Sequence, residues 1–198
     1  DAAIVSRKNA LIYRYLRIKP PNLNVDTERA VYVRTKDSKT KGDLIHKDDM
    51  DGIRFPYRFE VLAIPIMKNN KKEDDDDGIR KSIIISGVNY STSINNYSYF
   101  TSDHYVYRWH HRKTNDYLQA YDIRSIVKMS MAGHDLEYHQ NVSSKKLKQE
   151  CILICHLIAP KIGYSNGYGK SSLVLEPFAK AIAETIEEAI LKMPNKSK

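Results

Sequence analysis

Apolar residues fall into a few short runs along this chain, and their spacing predicts the elements. ECILICHLIA, Glu150 to Ala159, is apolar almost throughout and reads as the most deeply buried strand. FPYRFEVLAIPIM, Phe55 to Met67, alternates well enough for a strand, with Pro65 marking its end or an edge. KSIIISGVNYS, Lys81 to Ser91, is β-branched and apolar and reads as another strand. These last two are expected to form a hairpin around a charged, low-complexity tip, KNNKKEDDDDG. AVYVR (Ala30 to Arg34) and HYVYRWH (His104 to His110) are shorter strand candidates, and residues 36–52 read as a polar connector.

Helical spacing occurs three times. Residues 2–18 place Ile4, Ala10, Leu11, Tyr15 and Ile18 on one side, and Pro20-Pro21 end that helix. Tyr121 to Gly133 aligns Ile123, Ile126, Val127 and Ser130, with Gly133 as the stop. In Pro177 to Met193 the core stripe is Phe178, Ile182, Ile186, Ala189 and Met193. Lys180, Glu184, Glu187, Glu188 and Lys192 form its expected solvated side, and Pro177 suits the first turn. Strands, helix, strand, loop, helix is an α+β order without regular βαβ alternation or internal repeat.

At 198 residues, 41% hydrophobic and 28% charged, the chain can bury a real core. It opens on Asp1, as expected of a piece of a longer protein or a processed form. No secretory segment opens it and no apolar run approaches a membrane span. Cys151 and Cys155, four apart on one strand, point to one face at a distance too long to bond, which suggests reduced thiols and an intracellular protein. The net charge of +8 is compatible with a polyanion partner, although much of it lies in loop-like lysine clusters that serve solubility.

GYSNGYGKSS, Gly163 to Ser172, invites comparison with a phosphate-binding P-loop. That loop needs glycine five residues before the Gly-Lys pair, where this chain has Tyr164, and a helix starting at the lysine. SSLVLEP intervenes instead, and no later strand remains to supply a Mg²⁺ aspartate. The segment is therefore not a P-loop. EDDDDG lacks the glutamate of a calcium loop, since Ile84 holds that position. His134 and His139 are spaced i,i+5, wrong for a helical zinc pair, and His156 reads as a hydrogen-bonded core histidine. No metal site and no Ser-His-Asp site is indicated. The Tyr/Asn-rich stretch Ser86 to Phe100 could stack on bases but lacks an RNP pattern.

Three segments taken in order carry a resemblance: FPYRFEVLAI, RKSIIISGVNYSTSINNYSYF and ECILICHLIAPKIGYSNGYGKSSLVLEPFAKAIAETIEEAI. Together, over roughly residues 54 to 193, they resemble the transducer domain of the B subunit of type IIB DNA topoisomerase (topoisomerase VI) and related GHKL ATPases. The glycine-lysine loop is the specific part, with Tyr168 as an extra residue. The resemblance implies the ribosomal-protein S-five second-domain fold, a mixed or antiparallel sheet with helices on one face and a left-handed β-α-β crossover. It makes 54–198 the transducer and 1–53 an extension or the end of a preceding domain.

By the same resemblance Lys170 is a switch lysine, flanked by Gly169 and Gly167, that contacts the γ-phosphate of ATP, which is held together with Mg²⁺ in a separate N-terminal GHKL domain. The implied partners are that ATPase domain, a second copy of the parent protein, DNA and a topoisomerase A-like subunit. A compact ammonium on a flexible stem suits such a contact. The chain has no ATPase motifs of its own, so alone it is not expected to hydrolyse ATP. The alternative reading is a non-enzymatic nucleic-acid or protein-binding module.

Overall fold

The computed structural model describes residues 2–15, 24–35, 44–47, 54–67, 83–89, 91–92, 107–110, 112, 115–132, 151–164 and 173–193. Its core is a mixed sheet built around β8 (Cys151–Ile158). On one side β8 pairs antiparallel with β3 (Arg54–Pro65), in a register running from Arg58 opposite Ile158 to Pro65 opposite Cys151. On the other it pairs parallel with β4 (Ile83–Val88). The outer edge of β3 carries β1 (Val31–Arg34) and β2 (Leu44–Lys47), both antiparallel. β5 (Ser91–Thr92) closes the other end against β4.

Two expectations change here. β3 and β4 do not form a hairpin, because β8 lies between them. A strand apolar on both faces is best buried at the centre, with both rows of backbone groups paired. The polar connector 36–52 contains β2, and β1 from the segment before the proposed domain is hydrogen-bonded into the same sheet. Pro65 does end its strand, opposite Cys151, and the charged tip at 68–78 lies outside the described residues.

Alternation divides the side chains of β3 and β8 between two faces. Phe59, Val61 and Ala63 meet Leu153, Cys155 and Leu157 in one core, with α3 (Ala179–Lys192) and α2 (Ile123–Ala132). The predicted stripe of α3 is buried throughout, as are Ile123, Ile126, Val127 and Ser130 of α2. The Asp122 carboxylate caps α2, accepting from the Ser125 backbone N–H at 2.7 Å. The opposite face carries Leu62, Ile64, Ile85, Ile152 and Ile154, packed with Leu11 of α1 (Ala2–Tyr15). Helices therefore cover both faces rather than one. In α1 the docked residues include Leu11 and the partly buried Arg7, Lys8 and Ile12, whereas Ile4 and Ala10 of the expected stripe are exposed.

The solvated side expected of α3 is only partly so. A hairpin of β6 (Tyr107–His110) and β7 (Tyr117–Ala120) joins the same core, with Tyr107 and Trp109 fully buried. It buries Glu187, and the Arg112 guanidinium in its turn meets Glu188 Oε2 at 2.7 Å. Glu188 also receives Lys192 at 2.7 Å. Burial pushes the Glu187 carboxyl above the usual carboxylate range, with Arg112 and the Trp109 indole N–H pulling the other way. Lys180 remains exposed as expected.

Asn89 ends β4 in the left-handed region, at φ 47°. Its backbone N–H donates to Leu157 O at 2.9 Å, continuing the ladder. Its side chain then stands in for the next residue: Nδ2 donates to Ala159 O at 2.8 Å, and Oδ1 accepts from Ala159 N–H at 2.9 Å. Asn89→Gly keeps the backbone geometry but removes both side-chain bonds, an expected loss of about 1–2 kcal/mol. Asn89→Ala loses the same bonds but keeps a Cβ at positive φ without the local hydrogen bonding that lets asparagine tolerate it, about 1–2 kcal/mol worse than the glycine variant. Urea unfolding midpoints are expected in the order wild type, Gly, Ala; equal midpoints for the two variants would remove the backbone part of this account.

Candidate functional site

The chemistry gathers at the end of the sheet where the parallel strands β4 and β8 reach their carboxyl ends. Cross-strand register aligns Arg34, Glu60, His156 and Gly87 in one row on the α1 face. The next row holds Tyr32, Leu62, Ile154 and Ile85, and the one after it the apolar Ile64, Ile152 and Ile83. Glu60 and His156 are fully buried despite their polarity.

Their burial is matched by partners. His156 Nδ1 lies 2.7 Å from Glu60 Oε1, so its N–H donates to the carboxylate. Tyr32 Oη donates to Oε2 at 2.7 Å. From α1 the Arg7 Nε lies 3.1 and 3.0 Å from the two carboxylate oxygens, and its Nη2 also contacts Oε1. A carboxylate held by a guanidinium fork, a phenol and an imidazole is strongly favoured in its charged form. Burial opposes ionisation, but the hydrogen bonds from His156, Arg7 and Tyr32 outweigh it and hold the Glu60 pKa at about 2. Burial and the adjacent carboxylate push the Tyr32 phenol the other way, well above its usual value, so it stays a donor.

Beyond His156, β8 runs into a pocket of about 500 Å³ lined by Tyr57, Arg58, Asn89, Ile158 and Pro160 among others. The glycine-rich segment follows. Its base is a two-stranded ladder, β9 (Gly163–Tyr164) against β10 (Leu173–Val174), with Tyr164 opposite Leu173 and Gly163 opposite Val174. A single helical turn at Glu176–Phe178 leads into α3. Strand β10 and this turn separate Lys170 from the helix, in keeping with the exclusion of a P-loop. Lys170, Gly169 and Gly167 themselves lie outside the described residues, as do the calcium-loop candidate at 73–78 and the histidines at 134 and 139.

His156 is the hydrogen-bonded core histidine expected of it, and Cys151 and Cys155 are buried on one face without a disulfide. Sequence reading missed Glu60, Arg7 and Tyr32. The available signal was a glutamate in the middle of the otherwise apolar FEVLAI. Among the described residues no group of three or more His, Cys, Asp or Glu side chains is arranged to hold a metal ion. No described helix is long and apolar enough to cross a membrane. No protein-family model matches the sequence, and no curated protein matches it.

The sign of the Glu60 contribution follows from its depressed pKa. In the unfolded chain the carboxyl takes up a proton near its ordinary pKa of 4.5, and in the folded chain only near 2. The stability it contributes is full above the unfolded value and is lost as pH falls through the folded one. The interval corresponds to roughly 3 kcal/mol, at about 1.4 kcal/mol per pH unit. Glu60→Gln should unfold at lower urea than wild type at pH 7, with the gap narrowing from pH 5 towards pH 2. A gap independent of pH would show that charge plays no part.

Proposed function

We propose that this chain is the transducer part of a topoisomerase VI B-like GHKL ATPase. It responds to ATP held by a separate domain through Lys170 and relays that state by a domain movement. The observation that carries the reading is the setting of GYSNGYGKSS, a connection closed at its base by the β9–β10 ladder, leaving the central strand on one side and entering α3 on the other. A lysine is a compact charge on a flexible stem, and its ammonium can meet a phosphate that this chain does not itself bind.

The mixed sheet, with the parallel pair β4 and β8 joined by a connection that includes α2, is compatible with the S-five second-domain type of fold. The left-handed crossover belongs to this proposal. So do the partners it implies: an N-terminal GHKL domain carrying ATP and Mg²⁺, a second copy of the parent, DNA and a topoisomerase A-like subunit.

A single charged contact is enough for a switch. One made with ATP and lost on hydrolysis shifts a two-state equilibrium about tenfold for every ~1.4 kcal/mol of differential affinity. No complete nucleotide site is expected within these residues, so calorimetric titration of the isolated chain with a non-hydrolysable ATP analogue should show no micromolar binding. In the parent ATPase, Lys170→Ala is expected to reduce ATP turnover about tenfold or more while nucleotide affinity stays close to wild type. Wild-type turnover in that variant would reject the assignment.

A further inference from the structure

The hairpin of β6 and β7 has two unlike faces. Inward, Tyr107 and Trp109 of β6 and Leu118 and Ala120 of β7 are buried in the core shared with α2 and α3. Outward, the alternation of the strands leaves Arg108 and His110 on β6 and Tyr117 and Gln119 on β7, all four exposed. The register sets Arg108 opposite Gln119 and His110 opposite Tyr117. Tyr121, one residue past β7, continues the alternation and is 66% exposed, with Tyr117 at 57%.

An outward strand position is ordinarily polar, and Arg108, His110 and Gln119 conform. The two tyrosines add flat rings with only two side-chain torsions each to fix. The His110 and Tyr117 rings meet in an edge contact with centroids 5.5 Å apart, which occupies at most one face of the tyrosine and leaves the other for a further ring. Beneath them Tyr107 and Trp109 anchor the hairpin in the core, so a ligand meets a platform that is already ordered.

Charge narrows the partner. Among the described residues no carboxylate pairs with the exposed Arg108. Glu188, which the hairpin meets through Arg112, is already held by Arg112 and Lys192, and Asp122 caps α2. Between Tyr107 and Ala120 the one acidic residue described is Asp116, against the guanidinium groups of Arg108 and Arg112. In a chain of net charge +8, this face suits a polyanion that carries flat rings. A single-stranded nucleic acid has both, since every unstacked base offers a π-face and every linkage a phosphate. A duplex keeps its base faces within the stack, and an acidic peptide brings charge without the rings.

We infer that the outward face of the β6–β7 hairpin is a binding site for single-stranded nucleic acid, in which Tyr117 and Tyr121 stack on bases and Arg108 meets a phosphate of the same strand. The site uses no residue of the glycine-lysine connection, so it stands or falls separately from the role given to Lys170.

The test is the fluorescence anisotropy of a labelled short oligothymidylate, titrated with the 198-residue chain over a range of salt concentrations. Wild type is expected to bind it more tightly than the same strand in a duplex, although charge alone favours the duplex, whose phosphates are the more densely spaced. Tyr117→Ala and Tyr121→Ala should each weaken single-strand binding about fivefold or more, whereas Tyr117→Phe, which keeps the ring, should not. Arg108→Ala should make the slope of log affinity against log salt shallower by about 0.7, the share of one phosphate contact on a single strand, and Arg108→Lys should retain it. Tyr13→Ala, at a similarly exposed tyrosine on α1 across the sheet, should bind as wild type does. Trp109, the one tryptophan of the chain and buried under this face, reports by its emission whether each variant keeps the hairpin folded. Absence of single-strand binding, a preference for the duplex, or binding that the hairpin variants leave unchanged overturns the site. A loss shared equally by Tyr13→Ala does the same. The comparison of single strand with duplex needs no substitution, so the site can be rejected even where a variant fails to fold.

Discussion

The fold turns on one constraint, the burial of β8 on both faces and along both edges. Seven of its eight residues are buried, and Ile158 at its end is partly so. Each large aliphatic side chain buried in this way contributes about 1.5–3 kcal/mol, but only if something covers it. Cys151, Leu153, Cys155 and Leu157 require a layer on one side, which α3 and α2 supply. Ile152 and Ile154 require another on the opposite side, which includes Leu11 of α1. The edges are met by β3 and β4, and so β4 cannot turn back on β3.

Within that strand pair the Glu60–His156 couple is expensive. Placing a carboxylate in a low-dielectric interior costs several kcal/mol, and well-packed apolar residues often do as well as or better than a buried ion pair. Stability alone therefore does not explain the couple. What it adds is position. The apolar rows under α1 receive Leu11 and Ile12 through non-directional contacts, which set no register by themselves. Arg7 over Glu60 selects one seat, because the guanidinium has one carboxylate to meet. The polar row lies one row from Ile154 and Leu62, so helix register and sheet register are set by the same pair of strands.

Periodicity made the cores of β8, α2 and α3 legible before any coordinates. Ile123, Ile126 and Val127, like Phe178, Ile182 and Ile186, show a helical spacing that only a buried stripe explains. Pairing was less legible. The adjacency of β3 and β4 in sequence suggested a hairpin, and nothing local in either strand announces a third strand arriving about sixty residues later. Glu187 and Glu188 read as solvent-facing because a helix pattern reports the dominant face, not a second one made by a distant hairpin. Arg7, Tyr32, Glu60 and His156 lie on four separate elements, so their meeting has no sequence spacing at all. The glycine-lysine connection, conversely, was conspicuous in sequence while the described structure gives only its two anchors.

Those anchors bear on how a relay of the proposed kind could work. On one side the connection leaves β8, whose last turns of ladder are tied to β3 and β4 and extended by Asn89. On the other it enters α3 through Phe178, which is buried and packs its ring on Tyr57 at 4.8 Å and on Phe55 at 6.4 Å. Tyr57 and Phe55 belong to β3, the partner strand of β8. The carboxyl end of β8 and the amino end of α3 are thus bridged by β3. Close-packed cores deform little and shift between discrete arrangements instead. Under the proposed reading, the sheet and α3 respond to the nucleotide as one body.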